Sequence, residues 1–145
     1  MSVKIHVAET RPEEEPEALA VQLAESMHNM MQAQQDADAY QKQSISERAK
    51  AGDCSRALAE LDERARNPPT KISRMDRIAT YDREMIVAEK KKSLERAQDF
   101  QQRADNSNAR VNTLRRATAN LHVQISNATA KRKRVRAELA ALQAN

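Results

Sequence analysis

The sequence predicts an all-α fold: an elongated antiparallel two-helix coiled-coil hairpin with an overhanging C-terminal helix. Three observations lead there. The 145 residues include one Gly, no Trp, one Phe and two Tyr, too few for the turns and thick core of a sheet-containing domain. From Ala97 to Leu142, residues that a helix seam accepts recur in alternating steps of three and four, the 3.5-residue spacing of a left-handed supercoil. A double proline, Pro68-Pro69, interrupts the middle of the chain. Charged residues make up 32% and mean hydropathy is −0.86, values shared with disordered chains, but disorder gives no reason to keep a seam.

The elements follow in order. Val3, Ile5 and Val7 alternate with polar residues, a pattern too short for a stable strand. Residues 1–12 are therefore expected to form an extended arm, with addition to a partner's sheet edge as the alternative. Residues 13–67 read as an acidic first helix, opened by Pro12-Glu13-Glu14-Glu15-Pro16, whose carboxylates suit the positive end of a helix. Gly52-Asp53 is a weak point where this helix could kink. Residues 68–70 form the Pro-Pro turn, because consecutive prolines forbid helical geometry before them and remove donors. Residues 71–145 read as a basic second helix.

The first helix carries its own seam: Leu19, Leu23, Ser26, Met30, Ala33, Ala37, Tyr40, Ser44, Glu47, Ala51, Cys54, Leu58, Leu61 and Ala65. The second carries Ala97, Phe100, Ala104, Ser107, Val111, Leu114, Thr118, Leu121, Ile125, Ala128, Arg132, Val135, Leu139 and Leu142, with Ile86 upstream. Folding one helix on the other about the Pro68–Pro69 bond pairs residues whose numbers sum to 137. Leu23 then meets Leu114, Met30 meets Ser107, Ala37 meets Phe100, Tyr40 meets Ala97, Ala51 meets Ile86 and Leu58 meets Ala79. Large faces small along most of this list, which keeps the interaxial distance even. Glu47 falls opposite Lys90, a candidate ion pair that could set register. Residues 1–67 hold 8 basic and 13 acidic side chains, and residues 68–145 hold 17 and 8. This opposition favours closure within one chain over pairing of like copies. A parallel homodimer of long helices is the competing arrangement, and the double proline speaks against it.

With that pairing the first helix begins, at Glu13 to Glu17, opposite residues 124–120, leaving residues 123–145 as an overhanging, partner-binding segment. Its seam continues through Ile125, Ala128, Val135, Leu139 and Leu142. Each aliphatic left in water forgoes about 1.5–3 kcal/mol of burial, so these residues are candidate contacts for other protein subunits or further copies of the chain. Lys131, Arg132, Lys133, Arg134 and Arg136 form the densest charge run. They are candidate contacts for an acidic protein surface or for nucleic acid, or simply a solvated face. Scarce aromatics weigh against single-strand binding, and cations around the whole helix weigh against membrane-surface docking.

Chemistry is not expected. His6, His28 and His122 stand apart, without the spacing of metal ligands. Cys54 lies on a seam position beside Leu58 and Leu61 with no base to activate it, and as the single cysteine it fits a reducing compartment. Met27, Met30 and Met31 form a soft patch suited to packing or to adaptable contacts. No cofactor, metal, small-molecule substrate, membrane span or secretory signal is expected. The chain reads as intracellular, soluble or packed into a particle or filament. The expected function is that of a non-enzymatic structural subunit that bridges or staples proteins in a large assembly, of virion or cytoskeletal type. The layout of a two-helix hairpin with an overhanging C-terminal helix also resembles the stalk proteins of flagellar and type III export ATPases. That resemblance covers most of the chain in shape, rests on no motif, and implies an assembly or export factor whose basic C-terminal region lies inside an ATPase ring. A nucleic-acid-associated protein using residues 131–136 is the third expectation.

Overall fold

In a computed structural model, the structure describes residues 15–66 and 74–144, with residues 74–81 described at the level of backbone only. Two helices make up the fold, α1 (Pro16–Arg66) and α2 (Arg74–Gln143). They pack against each other as a helical hairpin, with no strand among the described residues. The expected arm at residues 1–12 and the Pro-Pro turn at 68–70 lie outside the described residues.

Local sequence explains the helix ends. Pro16 occupies the first position of α1, where its fixed φ suits the helix and its missing donor costs nothing. The Glu15 carbonyl accepts from the Leu19 amide at 3.0 Å, and Glu17 places a carboxylate in the first turn. Arg64 and Arg66 lie in the last turn, where cations meet the negative helix end. α1 runs unbroken through Gly52-Asp53.

The helices form two packing units, Met1–Gln34 with Ala109–Asn145, and Gln35–Asn108. In the first, the buried residues are Leu19, Ser26, Ala33, Val111 and Thr118. In the second they are Ala37, Ser44, Glu47, Ala51, Ser93, Ala97 and Ala104. Every one except Ser93 belongs to the two seams read from the sequence, and Ser93 sits four residues before Ala97 in the same phase. Large seam residues stay only half-buried: Leu23, Met30, Tyr40, Leu58, Ile86, Phe100 and Leu114. The deepest layer thus consists mostly of alanine and serine. Small side chains let the backbones come close, and the Ser44 hydroxyl donates directly to the Ala97 carbonyl at 3.0 Å.

Polar pairs fix the alignment, and it differs from the expected one. In the first unit the Ser26 and Thr118 hydroxyls hydrogen-bond at 2.9 Å, a pair whose numbers sum to 144. In the second unit Arg96 bonds Glu47 at 3.2 Å and Arg83 pairs with Asp62, with sums of 143 and 145. The seams keep their phase, but the register lies one heptad beyond the sum of 137. Glu47 accordingly pairs with Arg96 and Lys50 rather than Lys90. Phe100 stacks on Tyr40, with centroids 6.4 Å apart, rather than filling space opposite Ala37. The Arg103 guanidinium lies 5.9 Å and 6.0 Å from these two ring centroids.

The cause is chemical. Heptad phase leaves registers seven residues apart equally acceptable. At a sum of 137, Ser26 would face Val111 and Thr118 would face Leu19, burying hydroxyls against apolar partners. An unmatched buried hydroxyl costs about 1–3 kcal/mol. Shifting by one heptad brings the two hydroxyls together. The Thr118 hydroxyl also bonds the Leu114 carbonyl at 2.7 Å.

In a Cys54→Ser background, cysteines at positions 26 and 118 should crosslink within one chain on mild oxidation, while cysteines at 26 and 111 should not. Efficient closure of the 26–111 pair would return the register to a sum of 137. Ala104→Leu should destabilise the hairpin by about 1–3 kcal/mol, because an added isobutyl group must push the helices apart; an unchanged thermal midpoint would contradict the close approach.

Candidate protein-interaction surfaces

In the first unit, α2 beyond Thr118 is covered in steps. Leu121, Ile125 and Ala128 are half-buried. Arg132 then reaches Glu17 with both terminal nitrogens, one to each carboxylate oxygen. A cleft of about 510 Å³ opens here, lined by Pro16, Glu17, Ala128, Arg132, Val135 and Arg136 among others. The two-point contact is a strong geometry for an arginine–carboxylate pair. The bonds from Arg132, together with the Glu17 backbone amide, lower the Glu17 carboxyl from an ordinary 4.5 to about 2. The same bond raises Arg132 further above its usual range.

The expected overhang therefore starts later than residue 123. Under the observed register Pro16 falls opposite Ala128, and the Glu17 side chain reaches on to Arg132, so Ile125 and Ala128 belong to the intramolecular seam as well as to the candidate list. Lys131 and Val135 are half-buried, and Lys133, Arg134 and Arg136 are exposed. Leu139 and Leu142 remain 41% and 44% exposed on the continuing stripe.

The second unit also leaves large apolar side chains exposed outside the seams read from the sequence. Ile45, Val87 and Leu94 are each about half exposed. In heptad terms Val87 and Leu94 hold e positions of α2, and Ile45 a b position of α1. This is the flank on which e positions of antiparallel helices face each other, as Arg48 and Gln101 do at 3.5 Å. Gly52 shares the b row, and a Cβ built there would meet nothing within 4 Å, so no contact among the described residues requires a glycine. Glycine in a helix interior costs about 0.5–1 kcal/mol relative to alanine. The signal was available in the sequence, one position to the side of each seam residue.

Glu47 is the one buried ionisable group among the described residues. Burial pushes its carboxyl up, but bonds from Arg96 and Lys50 outweigh this and leave it lowered overall. Arg96 is raised in turn, first by Glu89 and then by Glu47. This network ties α1 to α2 through Glu47 and Arg96. Cys54 is half-buried. Among the described residues no three His, Cys, Asp or Glu side chains are grouped to hold a metal, and no helix is long and apolar enough to cross a membrane.

No protein-family model matches the chain, and neither does any curated protein or solved structure. The likeness in layout to export-ATPase stalks gains nothing from these comparisons.

A carboxyl held low in the folded state contributes stability that is present above its unfolded value and lost as pH falls through the folded one. For Glu17 that window runs from 4.5 down to about 2. Carboxyl-carbon NMR should therefore find Glu17 titrating near the bottom of this window, and Arg132→Gln should return it toward 4.5. A midpoint indifferent to Arg132→Gln would remove the pair.

Proposed function

We propose that this chain is a non-enzymatic structural subunit that bridges or staples proteins within a large assembly, working inside the cell or incorporated into a particle or filament. One observation carries the reading: each packing unit leaves its own set of large apolar side chains in water. The first has Leu139 and Leu142, besides Val21, Met27, Met31 and Val123; the second has Ile45, Val87 and Leu94, besides Met85. Single exposed aliphatics are ordinary, but grouped ones mark contact surfaces. A staple needs two such surfaces. It needs no reacting groups, and the buried polar atoms are spent on alignment.

Proximity crosslinking in the native host, read by quantitative mass spectrometry, tests this. Leu139→Asp with Leu142→Asp should remove one set of neighbours, and Ile45→Glu with Leu94→Glu should remove a different set. Both double variants should keep the wild-type helical circular dichroism, since all four side chains are exposed. Identical crosslinking profiles for the wild type and both variants would overturn the reading.

A further inference from the structure

We propose that the hairpin has two folded alignments one heptad apart, and that the Ser26–Thr118 hydroxyl pair holds it in the observed one. The proposal concerns the fold itself and does not depend on the bridging reading. The chain carries two signals for the alignment, and they disagree. Ser26 meets Thr118 at 2.9 Å, which fixes a sum of 144 and a midpoint at Ile72. The double proline, where a helix cannot continue, is the midpoint of a sum of 137. One signal is met in the structure, and the other describes the same hairpin moved by seven residues.

The two units respond differently to that move. In the first unit it sets Ser26 against Val111 and Thr118 against Leu19, so the hydroxyl pair is lost. In the second unit both alignments answer the buried polar groups of α1. As observed, the Ser44 hydroxyl donates to the Ala97 carbonyl and Glu47 bonds Arg96. Seven residues away, Ser44 faces Ser93, which is equally buried, and Glu47 faces Lys90, which is half-buried. Tyr40 faces alanine either way, Ala104 as observed and Ala97 after the move. The Arg83–Asp62 pair is lost, an exposed contact of small weight. α1 and α2 are each continuous, so one sum serves the pair of helices, and the first unit decides it. The move carries α1 about 10 Å along α2. Pro16 passes from Ala128 to Leu121, and Glu17 leaves Arg132 for the neighbourhood of Ile125. No Lys or Arg stands between Arg116 and Lys131, so the ion pair of Glu17 ends. Whatever pries Ser26 from Thr118 therefore selects which stretch of α2 the start of α1 faces.

The test uses the full chain at low concentration in a Cys54→Ser background, with three cysteine pairs inside the first unit. Cysteines at 23 and 121 report a sum of 144, and those at 23 and 114 a sum of 137. Cysteines at 23 and 128 meet in neither alignment. With the native hydroxyls in place, the 23–121 pair should close within one chain on mild oxidation and dominate. Ser26→Ala with Thr118→Val, which change side-chain volume little, should raise the yield at 23–114 at least about tenfold and leave 23–128 where it was. In the same variant without added cysteines, carboxyl-carbon NMR should find Glu17 returned toward 4.5. Lys90→Glu added to that variant should restore the 23–121 crosslink, because Glu47 would face a like charge in the second alignment. No rise at 23–114 would overturn the proposal and leave the hydroxyl pair as a stabilising contact only. An equal rise at 23–114 and 23–128 would overturn it too, by showing a loosened hairpin in place of a second alignment. A Glu17 carboxyl that stays low would do the same, since its bond to Arg132 would be intact.

Discussion

The fold depends on a narrow seam whose few polar atoms must find each other. Alanine and serine line the deepest layer, so apolar burial per residue is small and barely distinguishes one alignment from the next. What distinguishes them is chiefly the desolvation cost of the Ser26 and Thr118 hydroxyls, which meet each other in the observed register; the Ser44 hydroxyl and the Glu47 carboxylate are the other buried polar groups of the seam. Each is buried and each is bonded in the observed register. Hydrogen bonds of this kind add little stability when made and cost more when lost. Their weight here lies in selection among alignments.

This explains which features could be read from the sequence. The fold class and the phase of both seams were legible because each is written many times over: one glycine in the chain, an apolar residue every three or four positions. A repeated signal survives local exceptions. Register is written only a few times, in Ser26, Glu47 and Thr118, and the double proline seemed to offer a simpler guide. Side-chain volume was a poor arbiter, because the observed register also sets large against small, Tyr40 opposite Ala104 and Phe100 opposite Ser44, while the two rings stack on each other.

The candidate surfaces divide the same way. The stripe through Val135, Leu139 and Leu142 was visible as a continuation of the seam, although its exposed portion begins beyond Arg132 rather than at residue 123, because the register differs by one heptad. Ile45, Val87 and Leu94 were hidden because they belong to no seam. They become conspicuous only once the packed face of each helix is known and what remains outside can be inspected. The unneeded glycine at position 52 stands in that same row, at a helix stability cost that packing among the described residues does not explain.

One consequence reaches past binding. Because the small-residue lining repeats every seven positions while the hydroxyls and carboxylates do not, alignments one heptad apart, a step of about 10 Å, keep the same lining and differ in which oxygen atoms meet. Longitudinal position is thus a stepped quantity in this molecule, like the teeth of a ratchet, and the detents are a handful of oxygen atoms.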